Sequence, residues 1–365
     1  MVLAAEARAL GALAGEVGGD VVGTVRDVHR AIGRRAHAPR MHDAISELVY
    51  ACVKGGIVAG GVVGGVAVGV ARRNVATSIT DTPRGAFTAS AISGLIGDEL
   101  ERRRDPIACA MTLRRDGRAH APGAHPHPSG RVVLFVHGLC ETERYWRYVP
   151  KDREPEPTYG ARLAELGWSD LYLRYNSGAS IAVNGQRLSD LIDEIVAAWS
   201  VPITSFALVG HSMGGLVARA AAVHAEHVGA RWLPQLDHVI TLGSPHRGAP
   251  IARGIDRLIR GCARLPETAP LTAILERRSV GVRDLEPDHC VPPVQGARHT
   301  VVAASMGDPD SRWGDLIGDG LVRPDSACGT GDGVVVHRLA GLHHFDLLNH
   351  PRVWPLLRDA LVSTA

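Results

Sequence analysis

The chain has 365 residues, 45% of them apolar and 21% charged, a composition that builds a sizeable core and excludes a disordered or fibrous protein. Forty basic residues face 38 acidic ones, a formal net charge of +2, which excludes the electrostatic footprint of a nucleic-acid binder. The basic residues are almost all arginine, with lysine only at Lys54 and Lys151.

The N-terminal MVLAAEARALG lacks a basic leader and carries Glu6 and Arg8 where a signal peptide would be apolar, so a cytoplasmic protein is expected. The six cysteines (Cys52, Cys109, Cys140, Cys262, Cys290, Cys328) form no CxxC, which predicts reduced, mostly buried thiols. A Cys262–Cys290 bridge is the one pairing worth testing. Helices are predicted over residues 15–35, 41–54 and 91–104. Between the second and third lies GGIVAGGVVGGVAVGVA, residues 55–71: seventeen uncharged residues, seven of them glycine. A membrane-spanning helix needs about twenty mostly apolar residues, so this run is short and weakly hydrophobic. Gly56, Gly60 and Gly64, and likewise Gly61, Gly65 and Gly69, recur at four-residue steps and give a smooth helix face for close backbone approach. The expectation is a packed helix or hairpin, with peripheral membrane contact and a mobile segment as the alternatives. HAPGAHPHPSG, residues 120–130, is a linker or loop, and its histidines have no partner cluster that would make a metal site.

From residue 131 strands and helices alternate. VVLFVHG is a continuous apolar run suited to a strand buried on both faces. TYGARLAELGW reads as a helix and DLYLRYNSG as a strand. Leu188, Leu191, Ile192, Ile195, Val196 and Trp199 keep a 3–4 spacing and mark an amphipathic helix. Then come SFALVG (strand), MGGLVARAAAVHAEHV (helix), the strands LDHVITLGSP, HTVVAASMG and GVVVHRLAG, and a closing helix in HPRVWPLLRDAL. This alternation predicts an α/β fold with a mostly parallel sheet flanked by helices. Residues 1–104 are expected to form a helical extension and 105–365 the α/β domain, interrupted by an insertion at about 249–298. An insertion of this length is usually a functional lid or cap.

Gly210-His211-Ser212-Met213-Gly214 has the form G-x-S-x-G between an apolar strand and a small-residue helix, the context of a nucleophile elbow. A neutral serine hydroxyl needs a base to take its proton and a third group to orient the base. The elbow architecture orders them serine, acid, histidine along the chain. His343 and His344, after the last strand, compete for the base, while His337 lies inside that strand. Asp308, Asp310, Asp315, Asp319 and Asp332 are candidates for the acid; glycines flank Asp319. Backbone N–H groups of Met213 and of Leu139, in His137-Gly138-Leu139, are placed to hold an oxyanion. The side chain of His137 reads as structural.

VLFVHGLCETE, LVGHSMGGLVAR, ITLGSPHRGAP, GDGLV and GLHHFDLLNHP, in this order, resemble the lipase and esterase branch of the α/β-hydrolase superfamily, and within it the PGAP1-like and bacterial triacylglycerol lipase group. The resemblance spans about residues 130–360. GLIGDEL, AMTLRRDG and RSVGVRDL resemble an actinobacterial subgroup with an N-terminal helical extension. It implies an α/β-hydrolase fold with a helical cap, and an acid in GDGLV, hence Asp319. Its G-x-x-H-x-x-L-L-x-H-P pattern implies His344 rather than His343. It implies a serine carboxylester hydrolase working through an acyl-enzyme on Ser212, with a small-molecule or lipid ester as substrate and no cofactor. Asp346 is weakly similar to a calcium ligand of related lipases, but no further ligands are identifiable and no metal is expected. Acyl transfer or thioester cleavage by the same triad is the alternative, and a non-catalytic membrane-associated scaffold a remoter one. Ile255, Leu258, Ile259, Leu271, Ile274 and Leu275 of the insertion are expected to line an acyl pocket for medium or long chains.

Overall fold

The structure is a computed structural model describing residues 2–35, 54, 56–66, 78–148, 154, 156–248, 279–285, 291–307, 319, 321–322, 324–327 and 333–362. The helix expected over 41–54, most of the insertion with all six expected pocket residues, and Cys52, Cys262, Cys290 and Cys328 lie outside them. So do Asp308, Asp310, Asp315 and Asp332.

The described residues fall into two compact units. The larger holds residues 90–98 and those from Cys109 onward, and is built on an eight-stranded sheet. Its strands are β1 (Thr112–Arg115), β2 (Arg118–His120), β3 (Arg131–Val136), β4 (Ser169–Arg174), β5 (Ser205–His211), β6 (Leu236–Leu242), β7 (Arg298–Ser305) and β8 (Val334–Ala340), in the order β2-β1-β4-β3-β5-β6-β7-β8. All pairs from β4 to β8 are parallel; the β1–β2 hairpin joins β4 antiparallel at one edge. The hairpin is not among the predicted strands.

Side chains of a strand alternate between faces, and the core divides accordingly. Val132, Leu134 and Val136 of β3 with Phe206 and Leu208 of β5 point to one side, against Leu188 and Ile192 of α5 (Ile181–Ala198) and Leu216 and Val217 of α6 (Met213–Val228). Val133, Phe135, Ala207 and Val209 point to the other, against Leu163 of α4 (Tyr159–Glu165) and Leu357 and Leu361 of the closing helix Trp354–Val362. Every residue of β5 is buried, as a central parallel strand with helices on both faces requires. Register pairs Val136 with Gly210, His211 with Leu242 and Ser305 with Ala340. The C-terminal ends of β3, β5, β6, β7 and β8 thus meet along one sheet edge, where open α/β sheets carry their sites.

The smaller unit contains α1 (Val2–Arg35) and a helix, α2, over 56–66. Gly11 and Gly15 of α1 face Gly61 and Gly65 of α2 so closely that a Cβ on Gly61 would lie 2.8 Å from the Gly15 backbone. Of the two glycine rows legible in the sequence, the one containing Gly61 and Gly65 makes the contact; Gly56, Gly60 and Gly64 have open space around them. Ile57, Val62, Val63 and Val66 are exposed beside that open row. No helix among the described residues is long and apolar enough to cross a membrane.

A third helix, α3 (Pro83–Arg102), is capped by Thr82 and opens on Pro83 at its first position. It is broken by a non-helical residue, Ile96. Ser90–Asp98 belongs to the sheet unit.

Candidate active site

Ser212 stands between β5 and α6 with φ 53° and ψ −127°, a left-handed conformation that costs a non-glycine residue about 1–3 kcal/mol. The chain bends here because both flanks permit it. A Cβ on Gly210 would collide with the backbone of Gly214 and Gly215, and one on Gly214 with the carbonyls of Val136 and His137. The turn is held by Ser212 N–H donating to the Leu242 carbonyl at 2.8 Å and Gly215 N–H donating to the Ser212 carbonyl at 3.1 Å. The next residue, Met213, is buried at the first position of α6, where helical N–H groups have no intrahelical acceptor.

After β8 the chain turns at Gly341 into a short 3-10 turn, His344–Leu347. His344 is buried, with Nδ1 2.7 Å from Oδ2 of the buried Asp319. The other oxygen, Oδ1, accepts the backbone N–H groups of Leu321 (3.0 Å) and Val322 (2.7 Å). The Asp319 carbonyl accepts the N–H of His344 at 3.0 Å. A carboxylate only accepts, so Nδ1 carries a proton, and Nε2 is the nitrogen left to accept one in the neutral ring. His343 points elsewhere: it is half exposed, with Nε2 3.3 Å from Asp346. His337 sits within β8, paired with Val302.

The loop after β3 covers the serine. A Cβ on Gly138 would lie 2.9 Å from the Ser212 Cβ. The Gly138 carbonyl accepts from His137 Nδ1 at 2.9 Å and from the Glu141 N–H at 3.3 Å. Because the peptide is trans, the Leu139 N–H points the opposite way from that tied-down carbonyl. His137 Nε2 accepts the Tyr175 N–H at 3.3 Å, and burial holds this histidine below its ordinary pKa. Its side chain is thus neutral and orients the peptide that carries Leu139. Cys140, at φ 60°, donates its N–H to Ser177 Oγ (3.1 Å), and its carbonyl accepts from Ser90 Oγ (3.0 Å). Burial, helped by the Glu141 charge, raises its thiol to about 11, so it stays a thiol at neutral pH.

Sequence reasoning misses two groups here. Glu141 is buried, and its carboxylate accepts the Gly138 N–H at 2.8 Å and lies 2.9 Å from His211 Nδ1. Burial alone would raise it, but the His211 charge, the bond to His211 and the Gly138 N–H outweigh that and hold it below the usual carboxylate range. Glu143 and Arg174 form a second buried pair, at 2.7 and 2.6 Å, that fastens the turn following this loop to β4. The only sequence cue is acids in the apolar context of GLCETE. Among the described residues no group of three or more His, Cys, Asp or Glu side chains could hold a metal ion.

Residues 127–261 match the model of the PGAP1-like alpha/beta domain. The chain is 28% identical over 163 residues to a triacylglycerol lipase of Burkholderia plantarii, covering 42% of this chain and 41% of the relative. It is 29% identical over 135 residues to a triacylglycerol lipase of Pseudarthrobacter phenanthrenivorans, covering 35% and 37%. A crystal structure of a Bacillus licheniformis lipase in propeptide form superposes with a TM-score of 0.50 at 19% identity, over 70% of this chain and 54% of that one. The chain is an α/β-hydrolase by fold. The matches span less than half the length of the curated lipases. At the C-terminal sheet edge of this α/β-hydrolase fold stand a strained serine and a carboxylate-bound histidine, each in a loop that follows a parallel strand.

Proposed function

We propose that the protein is a serine carboxylester hydrolase. Ser212 Oγ attacks the ester carbonyl carbon as its proton passes to His344 Nε2. The bond to the alcohol oxygen breaks as that proton is delivered to the leaving alkoxide. Water then attacks the acyl-Ser212 carbonyl, gives a proton to His344, and the carboxylic acid leaves as Ser212 recovers it. Asp319 holds Nδ1–H and stabilises the transient imidazolium. The N–H groups of Leu139 and Met213 receive the oxyanion.

The observation that carries this reading is the 2.7 Å contact between His344 Nδ1 and Asp319 beside a serine at φ 53°. Two curated relatives are triacylglycerol lipases, which favours lipid esters as substrates. Medium or long acyl chains would lie against Ile255, Leu258, Ile259, Leu271, Ile274 and Leu275 in a cap over about 249–298. In this reading 1–104 is a helical extension to the catalytic domain 105–365, and the exposed Ile57, Val62, Val63 and Val66 give it a peripheral contact with lipid.

Fluorophosphonate labelling tests the nucleophile, and an ester chain-length series with and without a competing alcohol tests the reaction. Labelling of wild type but not Ser212→Ala, with the free acid as main product, is expected. Labelling that persists in Ser212→Ala overturns the assignment, and an alkyl ester as main product replaces hydrolysis by acyl transfer.

A further inference from the structure

His211 is the last residue of β5, immediately before Ser212, and is completely buried. Each ring nitrogen faces an acceptor. Nδ1 lies 2.9 Å from Oε1 of Glu141, and Nε2 lies 3.2 Å from the carbonyl oxygen of His344. A neutral imidazole has one N–H and one lone pair, so one of these contacts would set a lone pair against an oxygen. Two acceptors call for two donors. On its side, Glu141 takes the Gly138 N–H on Oε2 at 2.8 Å and turns both oxygens toward His211 Nδ1, Oε2 at 3.1 Å and Oε1 at 2.9 Å, the fork of an ionised carboxylate facing a donor. The other groups around His211 are the His344 ring, 4.7 Å away between centroids, the Phe345 ring at 6.0 Å, the Trp146 ring at 6.4 Å, and the charge of Asp319.

We propose that His211 is an imidazolium which, paired with Glu141, positions the oxyanion loop against the turn that carries the histidine base. The reasoning follows the bonds. Gly138 is tied to Glu141 twice, by its N–H to the carboxylate and by its carbonyl from the Glu141 N–H. That fixes the plane of the peptide presenting the Leu139 N–H. Glu141 is held by His211, and His211 holds the backbone of His344. The loops after β3, β5 and β8 are separate in sequence and meet at this one charged pair. Neither residue touches the reacting atoms in this account, so both are positioning residues. The pair is buried, so removing one partner strands the other charge. The role described rests on the serine hydrolase reading, but the charge state of His211 does not.

The experiment has two arms. In the first, nitrogen-resolved NMR of the histidine side chains is recorded on the full chain carrying Ser212→Ala. The His211 signal is identified as the one absent from Ser212→Ala/His211→Gln, and both ring nitrogens should be protonated at pH 7. A His211 with one bare nitrogen at that pH overturns the proposal whatever the enzyme does. In the second, Glu141→Gln and His211→Gln are compared with wild type on a p-nitrophenyl ester, with folding checked by circular dichroism. Loss of positioning should lower kcat by about 10²-fold at nearly unchanged KM, and the double variant should lose no more than the worse single one. Folded variants with wild-type kcat, or with additive losses, overturn the coupling. If wild type itself has no esterase activity and no fluorophosphonate labelling, the hydrolase reading fails while the NMR arm still decides the charge.

Discussion

Replacing Asp319 by asparagine should stop the reaction while sparing the fold, because the acid's two oxygens have different partners. Oδ1 accepts two backbone N–H groups, from Leu321 and Val322, at 3.0 and 2.7 Å. An asparagine side chain must keep its carbonyl oxygen there, since its NH2 would otherwise face two donors. The NH2 then occupies the Oδ2 position, 2.7 Å from His344 Nδ1. Two donors cannot share that contact, so Nδ1 becomes an acceptor and the proton moves to Nε2. The nitrogen proposed to take the serine proton is then already protonated. Loss of this acid in a serine protease lowers kcat by about 10⁴, which at 1.36 kcal/mol per decade is about 5.4 kcal/mol of barrier. Stability should change little, because every backbone donor keeps its acceptor. Asp319→Ala should also cost about 1–3 kcal/mol of stability for each N–H left without one. Steady-state hydrolysis of p-nitrophenyl butyrate and thermal melts of both variants check this. An Asp319→Asn enzyme within tenfold of wild-type kcat, or a comparable collapse in Asp308→Asn or Asp332→Asn instead, refutes the reasoning.

Ser212→Gly should abolish turnover yet raise Tm, since glycine relieves a strain of about 1–3 kcal/mol at φ 53°; an unchanged or lower Tm in that variant counts against strain at the elbow. Gly61→Leu or Gly65→Leu should overpack the α1–α2 contact by about 1–3 kcal/mol or more, whereas Gly60→Leu, which meets open space, should leave the melt unchanged. The buried Glu141–His211 pair should stabilise the fold over a bounded pH window. Glu141 is depressed, so its contribution is present above the unfolded value of 4.5 and is lost as pH falls through its folded pKa. His211 is raised, so its contribution is full below 6.5 and is lost as pH rises through its folded pKa. Urea melts across pH should show this window narrowing in Glu141→Gln, and an identical profile in that variant contradicts it. Ester turnover should rise from acetate to butyrate or hexanoate, by up to about 0.8 kcal/mol per buried CH₂, and a steady fall from acetate onward removes the apolar acyl pocket.

The parallel strands were legible because burial on both faces leaves no polar alternation, so VVLFV and SFALV stand out as unbroken apolar runs. The β1–β2 hairpin carried no such signal. It lies at the sheet edge, and of β1 only Leu113 is buried. Its cue was the Asp116-Gly117 dipeptide, whose positive φ values of 51° and 78° suit a two-residue hairpin turn. α1 starts far earlier than the predicted residue 15, through an alanine-rich stretch with strong helix propensity and little periodicity. In the candidate site, the G-x-S-x-G turn at Ser212 was legible locally, since the glycines around it allow its positive φ; the roles proposed for Ser212, Met213 and Leu139 rest on that local pattern. The choice between His343 and His344 could not be read from spacing alone. Their separation follows from a turn that sends one ring to Asp346 and its neighbour to Asp319.

Three histidines at this sheet edge show why residue type alone does not assign chemistry. His137 faces one carbonyl and one N–H, so a single tautomer satisfies both neighbours and burial keeps it neutral. His211 faces a carboxylate and a carbonyl, which two N–H groups satisfy; burial would lower it, but the Glu141 charge and hydrogen bond, the His344 carbonyl and the Asp319 charge together raise it. His344 faces a carboxylate on Nδ1, which keeps a proton on that nitrogen and makes Nε2 the one free to exchange a proton. The three partners that decide this lie at different distances along the chain. Gly138 adjoins His137, Asp319 is 25 residues from His344, and Glu141 is 70 residues from His211. Only the first separation is short enough for a sequence pattern to carry. The other two exist because parallel register brings the ends of β3, β5, β7 and β8 to one edge, so what each histidine faces is a property of the sheet as much as of the motif around it.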